Sequence, residues 1–193
     1  MADAERASAH ALRAIRLDGQ SAIALATYGH IRSYLFSDFD TALSYLDRAR
    51  RAAPNNALAW ALSSRTCACI GRSREAIEFV ERGLRLSPFD QHLFFFFSIL
   101  GFAHYAAGDH EEAVRWCRRA MAENPRYVSN FRTLCAALVA CGQIEAAGTV
   151  AAELRLLQSG LGTSTRPPRR NLFLSGEETA LFADRLRQAG IDY

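Results

Sequence analysis

The sequence predicts an all-α fold in which helical hairpins stack side by side as a solenoid. Three residue types recur along the 193 residues with shared spacing, which is the mark of a repeated supersecondary unit. Each type returns after 34 or 37 residues, at Ala42, Ala76, Ala113 and Ala147, at Gly71, Gly108 and Gly142, and at Pro54, Pro88 and Pro125. The local pattern inside each period then predicts two helices joined by a tight turn.

Residues 94–127 illustrate how one unit is built. Apolar residues lie at helical spacing along the first helix, and Gly108 marks the turn that follows it. We expect Asp109 to cap the second helix, with Glu112 three residues later in a capping-box arrangement. Pro125 ends the unit, because proline cannot continue a helix.

Small residues predict where the helices approach one another. Gly101 and Ala113 are expected at the contact between the two helices of one unit, since close helix packing needs small side chains. A single hairpin cannot bury its apolar faces alone, so neighbouring units must stack.

These features resemble the tetratricopeptide repeat, a helix-turn-helix of 34 residues. The third unit carries most of the pattern, at Phe97, Leu100, Gly101, Gly108, Ala113, Trp116, Ala120 and Pro125. The resemblance implies a right-handed α-solenoid of four repeats, at residues 23–56, 57–90, 94–127 and 128–161. Residues 1–22 are interpreted as a partial repeat that contributes only its second helix.

The C-terminal part of the chain differs from the repeats. Residues 162–174 are predicted to form a linker, because glycine, Pro-Pro and an arginine run at residues 166–170 interrupt any helix. A helix follows over residues 175–193, with Ser175 as its N-cap. Its apolar side is expected to cap the open end of the solenoid; the alternative is that it lies in a groove of its own or another chain.

The resemblance assigns partner binding to the concave surface formed by the first helices. Carried over by position, the groove residues are Ile31, Tyr34, Arg65, Phe95, Phe102, Tyr105 and Arg132. Aromatic and arginine side chains are typical anchors of protein interfaces. The alternative for Phe102 and Tyr105 is burial between the units.

Composition excludes several classes of function. The net charge of +3 gives no case for nucleic-acid binding, and the apolar run from Leu93 to Ala107 is too short to span a bilayer, which takes about 20 residues. Five cysteines without a Cys-x-x-Cys pair predict reduced thiols and no metal site. The acidic N-terminus differs from a secretory signal, so we expect a cytoplasmic protein. All 23 basic residues are arginine, which is typical of a bacterial genome rich in G and C.

We therefore predict a non-enzymatic interaction module without a cofactor, which binds a protein or peptide in its groove or forms a homodimer. A second resemblance gives an alternative. Residues 86–90, 108–113 and 186–191 resemble helical regions that follow bacterial class III nucleotide cyclases and some winged-helix transcription regulators. This resemblance implies a detached regulatory or oligomerisation segment.

Overall fold

The computed structural model describes residues 2–160 and 172–192, and within these residues the chain is an all-α solenoid. The described part contains α1 (Ala2–Leu17), α2 (Ala22–Phe36), α3 (Phe39–Ala52), α4 (Ala57–Cys69), α5 (Ser73–Leu86), α6 (Leu93–Ala107), α7 (His110–Glu123), α8 (Val128–Ala140), α9 (Ile144–Gly160) and α10 (Gly176–Gln188). None of these helices combines the length and the apolar character that crossing a bilayer would require.

The helices form an inner and an outer layer. The inner helices α2, α4, α6 and α8 contact one another in succession, and each also packs on its hairpin partner in the outer layer, α3, α5, α7 or α9. The burial of side chains differs between the two layers. Helix α4 is buried around most of its circumference, whereas α5 buries only a stripe of Ala76, Val80 and Gly83. Helix α1 packs against α2 at the N-terminal end.

Glycines allow the chain to turn between paired helices and allow the two helices of a hairpin to pack closely. Gly71, Gly108 and Gly142 each follow an inner helix with a positive φ of 79°, 85° and 74°, the region that glycine adopts at no steric cost. Gly101 of α6 lies against α7, where an added Cβ would be 3.3 Å from the carbonyl oxygen of Ala113. The predicted close approach of these two helices is therefore present.

The cap predicted for α7 is wrong. Asp109 does occupy the N-cap position, but its side chain makes no capping hydrogen bond. Its carboxylate lies 3.5 Å from Nδ1 of His104 instead, and Glu112 forms an ion pair with Arg115 rather than completing a capping box. Side-chain caps occur at other helices; for example, Asn56 accepts a hydrogen bond from the Ala59 amide at 3.0 Å.

The C-terminal residues make wider contacts with the solenoid than a capping helix alone would. Helix α10 packs against α8, and its Leu186 belongs to the same buried cluster as Leu154 of α9, which is what a cap requires. However, Leu172 and Phe173, which the sequence placed in the linker, are also buried. The arginine run at residues 166–170 lies outside the described residues.

Candidate functional site

The four consecutive phenylalanines at the start of α6 point to different parts of the molecule. Phe97 packs on Trp116 of α7, with ring centroids 5.5 Å apart, and Phe96 lies against Gly83 of the preceding unit. Both are almost fully buried, whereas Phe94 and Phe95 are half-buried beside Tyr127. The four rings therefore fan over different sides of α6, and Phe95 turns toward the inner surface.

The inner helices enclose a recess that we call the central pocket. All four inner helices and the residue before α8 contribute to its lining, which consists of His30, Tyr34, Arg65, Phe95, Ser98, Ile99, Phe102, Tyr127, Ser129 and Thr133. Its volume is about 130 Å³, well below the 300 Å³ at which small-molecule sites usually begin. The pocket therefore suits a side chain of a larger ligand.

Arg65 supplies the positive charge of the central pocket. Its guanidinium carbon lies 3.4 Å above the ring of Phe102 and 6.0 Å from the ring of Tyr34, within the range of cation–π attraction. The side chain is half-buried, so its outer face remains accessible to a ligand. None of the described residues that line the pocket is acidic.

Two tyrosines line the central pocket together with this arginine. His30 stacks on Tyr34 with ring centroids 5.3 Å apart, one helical turn away on the same face of α2. Burial raises the pKa of Tyr127, although a hydrogen bond with Ser129 and the charge of Arg65 oppose that rise. The pocket thus combines aromatic walls, hydroxyl groups and one guanidinium, which can together hold an apolar side chain next to an acceptor group.

A second cavity opens beside the central pocket, toward the loops between the units. It measures about 460 Å³ and shares Phe95 and Tyr127 with the central pocket. Its other lining residues are Leu58, Asp90, His92, Phe94, Phe96, Asn124 and Arg126. The two cavities therefore adjoin at these two rings, near the start of α6.

Part of the inner surface is covered by the chain itself. We call residues 172–192 the C-terminal segment. Its Phe173 stacks on Phe102 with ring centroids 5.4 Å apart, and the Leu174 amide donates a hydrogen bond to the Cys69 carbonyl at 2.7 Å. Farther along, Arg185 donates a hydrogen bond to the Tyr105 hydroxyl at 2.8 Å. The segment therefore crosses α4 and α6 before it reaches α8.

Comparison with known proteins identifies the architecture. Residues 95–127 match the tetratricopeptide repeat family. The fold is a tetratricopeptide-repeat (TPR) solenoid. PilW, a widely conserved type IV pilus biogenesis factor, is a similar solved structure with 19% identity and a TM-score of 0.68; the alignment covers 99% of this chain and 82% of PilW. No curated protein matches the sequence.

Two other TPR structures are similar over most of their length. MamA from residue 41 to its end, from Desulfovibrio magneticus RS-1, shares 17% identity with a TM-score of 0.59, covering 81% of this chain and 86% of that one. YrrB, a TPR protein with an unusual peptide-binding site, shares 17% identity with a TM-score of 0.53, covering 93% of this chain and 86% of that one. At these identities the likeness establishes the TPR fold alone.

The structure brings together four of the seven residues assigned to the groove from sequence. Tyr34, Arg65, Phe95 and Phe102 line the central pocket, although Phe102 is only 2% exposed, since Arg65 and Phe173 both pack on its ring. The other three lie elsewhere: Ile31 and Arg132 are half-buried outside the pocket lining, and Tyr105 is buried under α10, with Phe182 5.4 Å from its ring centre.

Sequence reasoning missed His30 and Tyr127. His30 could have been found, because it is four residues before Tyr34 and so shares its helical face. Tyr127 precedes α8, outside the helix positions to which the repeat pattern assigns binding. Among the described residues, no group of three or more His, Cys, Asp and Glu side chains is gathered to hold a metal ion.

Proposed function

We propose that this chain is a non-enzymatic interaction scaffold that binds a segment of a partner protein in its inner groove. The TPR fold supports the scaffold role, since stacked helical repeats present extended concave surfaces for binding. The central pocket carries the proposal, because it remains open between four inner helices and combines aromatic walls with Arg65.

The lining predicts the chemistry of the partner segment. A half-buried guanidinium without an acidic residue in the lining favours a carboxylate or a backbone carbonyl on the ligand. The aromatic walls favour an apolar or aromatic side chain next to that group. We therefore propose a ligand segment in which an apolar side chain that enters the pocket is followed or preceded by an acidic residue.

A peptide-display selection on the intact chain tests this proposal. The selected peptides should share the apolar–acidic pair, and calorimetry should measure at least about tenfold weaker binding to Arg65→Gln, since hydrogen bonds to charged groups contribute roughly 1.5–3 kcal/mol. The matched control is Arg118→Gln, which removes an exposed arginine from the outer helix α7.

A second pair of variants separates the pocket from the rest of the surface. Phe95→Ala removes a wall of the pocket, whereas Phe89→Ala removes a ring that is 95% exposed in a loop. We expect only the first to weaken peptide binding, with unchanged circular dichroism for both. Selected peptides that bind the Arg65 and Phe95 variants as tightly as the unmodified chain would contradict the proposal.

The cytoplasmic location, the homodimer and the regulatory segment of a cyclase or winged-helix regulator stay predictions from the sequence. Light scattering on the purified chain measures the oligomeric state.

A further inference from the structure

The C-terminal segment covers more of the inner groove than closure of the solenoid end would need. A cap has to cover only α8 and α9, the last hairpin. Phe173 and Leu174 instead reach Phe102 on α6 and Cys69 at the end of α4, one and two units farther back. Leu172 and Phe173 are 9% and 2% exposed, so this early part of the segment is as well buried as the core.

The contacts of the C-terminal segment are similar to those by which protein grooves bind peptides. The segment begins with bends rather than a helix, and there its Leu174 amide bonds to a carbonyl at the end of an inner helix. Helix α10 follows and buries Phe182 and Leu186, which are four residues apart and therefore on one face. Backbone hydrogen bonds combined with anchors at helical spacing are how grooves bind peptides and amphipathic helices.

The segment and the central pocket share one wall. The ring of Phe102 contacts Phe173 of the segment, and it also lies beneath the guanidinium of Arg65. Removal of the segment would uncover Phe102 and Tyr105, which would extend the open groove from the central pocket along α6. A partner long enough to use the whole groove must compete with the segment for these two rings.

We propose that the C-terminal segment is an internal ligand of the inner groove and that a partner segment of the same pattern displaces it. The pattern is an extended apolar–Phe pair, as in residues 172–173, followed by a helix with apolar anchors four residues apart. This inference rests on the proposed function, since it names the kind of partner that the groove takes. Its test uses the chain's own segment as the probe and so does not depend on an external peptide.

The experiment measures binding in trans of a fluorescein-labelled peptide of residues 172–192 to the full chain. In the unmodified chain the internal copy competes, and the apparent affinity is reduced by the fraction of molecules in which the groove is open. Phe173→Ala weakens the internal copy without altering the groove wall, so the labelled peptide should bind this variant about tenfold more tightly or better. Glu177→Ala, which truncates an exposed side chain in the first turn of α10, is the control and should bind as the unmodified chain does.

A modified probe tests the binding mode. A peptide N-methylated at Leu174 cannot donate to the Cys69 carbonyl and should bind the Phe173→Ala chain at least about tenfold more weakly than the plain peptide. If Phe173→Ala loses its helical circular dichroism, Arg185→Ala replaces it, because that half-buried side chain contributes a hydrogen bond to Tyr105. A folded variant that binds the peptide no better than the unmodified chain would overturn the proposal.

Discussion

Replacement of Gly101 by alanine is expected to destabilise the folded chain by about 2 kcal/mol. An ideal Cβ at this position would lie 2.5 Å from the sulfur of Cys117, 3.2 Å from the Cys117 backbone nitrogen and 3.3 Å from the Ala113 carbonyl oxygen. The sulfur is fully buried and the two backbone atoms belong to α7, so α6 and α7 must separate. Overpacking of this kind costs roughly 1–3 kcal/mol, and contact with backbone favours the upper end. The higher helix propensity of alanine offsets about 1 kcal/mol of this overpacking cost.

Gly148→Ala is the matched control for this prediction. Gly148 lies inside α9, and a Cβ there would meet no atom within 4 Å, so the variant should gain up to about 1 kcal/mol of stability. Thermal unfolding followed by circular dichroism measures both. At roughly 2–4 °C per kcal/mol for a chain of this size, we expect Tm to fall by about 4–8 °C for Gly101→Ala and to rise by about 2–4 °C for Gly148→Ala. A Gly101→Ala chain as stable as the unmodified one would show that the two helix backbones do not approach as described.

Three further predictions concern the C-terminal segment and the thiols. Tyr105→Phe removes the acceptor of the Arg185 hydrogen bond, so amide hydrogen exchange should accelerate in α10 while α2 and α3 stay unchanged; equal exchange in α10 would contradict a contribution from this bond. Burial raises the pKa of both Cys67 and Cys135 from 9.0 to about 12, so the folded chain holds these protons more tightly than the unfolded chain. The free energy of unfolding should therefore fall as pH rises from about 9 toward 12, as measured by urea denaturation. Half-buried Cys141 should react with a thiol reagent before these two do; simultaneous labelling in the native state would be inconsistent with their burial.

The hairpins could be predicted from the sequence because the signals for them are local. Gly71, Gly108 and Gly142 mark turns that need a positive φ, and the stripe of small residues marks the contact between paired helices. The failed cap at Asp109 has a local cause as well. Its carboxylate turns toward His104, a competing polar partner at the end of the preceding helix, and sequence spacing does not distinguish between the two.

The groove could be predicted only in part. Repeat positions place Tyr34, Arg65 and Phe95 on inner helices, and stacking brings them together around one pocket. The contacts of Leu172 and Phe173 escaped prediction, because their apolar side chains specify that they must be buried but not where. Phe173 meets a ring 71 positions earlier in the chain, and no local pattern encodes a contact at that separation.

The path of the C-terminal segment has a consequence for how the solenoid unfolds. In a chain of stacked hairpins each unit touches only its neighbours, so the ends can fray one unit at a time. The C-terminal segment contacts the end of α4, α6 and α8, so it links the central units to one another. Unfolding of any one of these units also breaks contacts of the segment. The C-terminal half of the chain should therefore unfold cooperatively in one transition. Helix α1 and the first hairpin lie beyond the C-terminal segment and should unfold at a lower denaturant concentration.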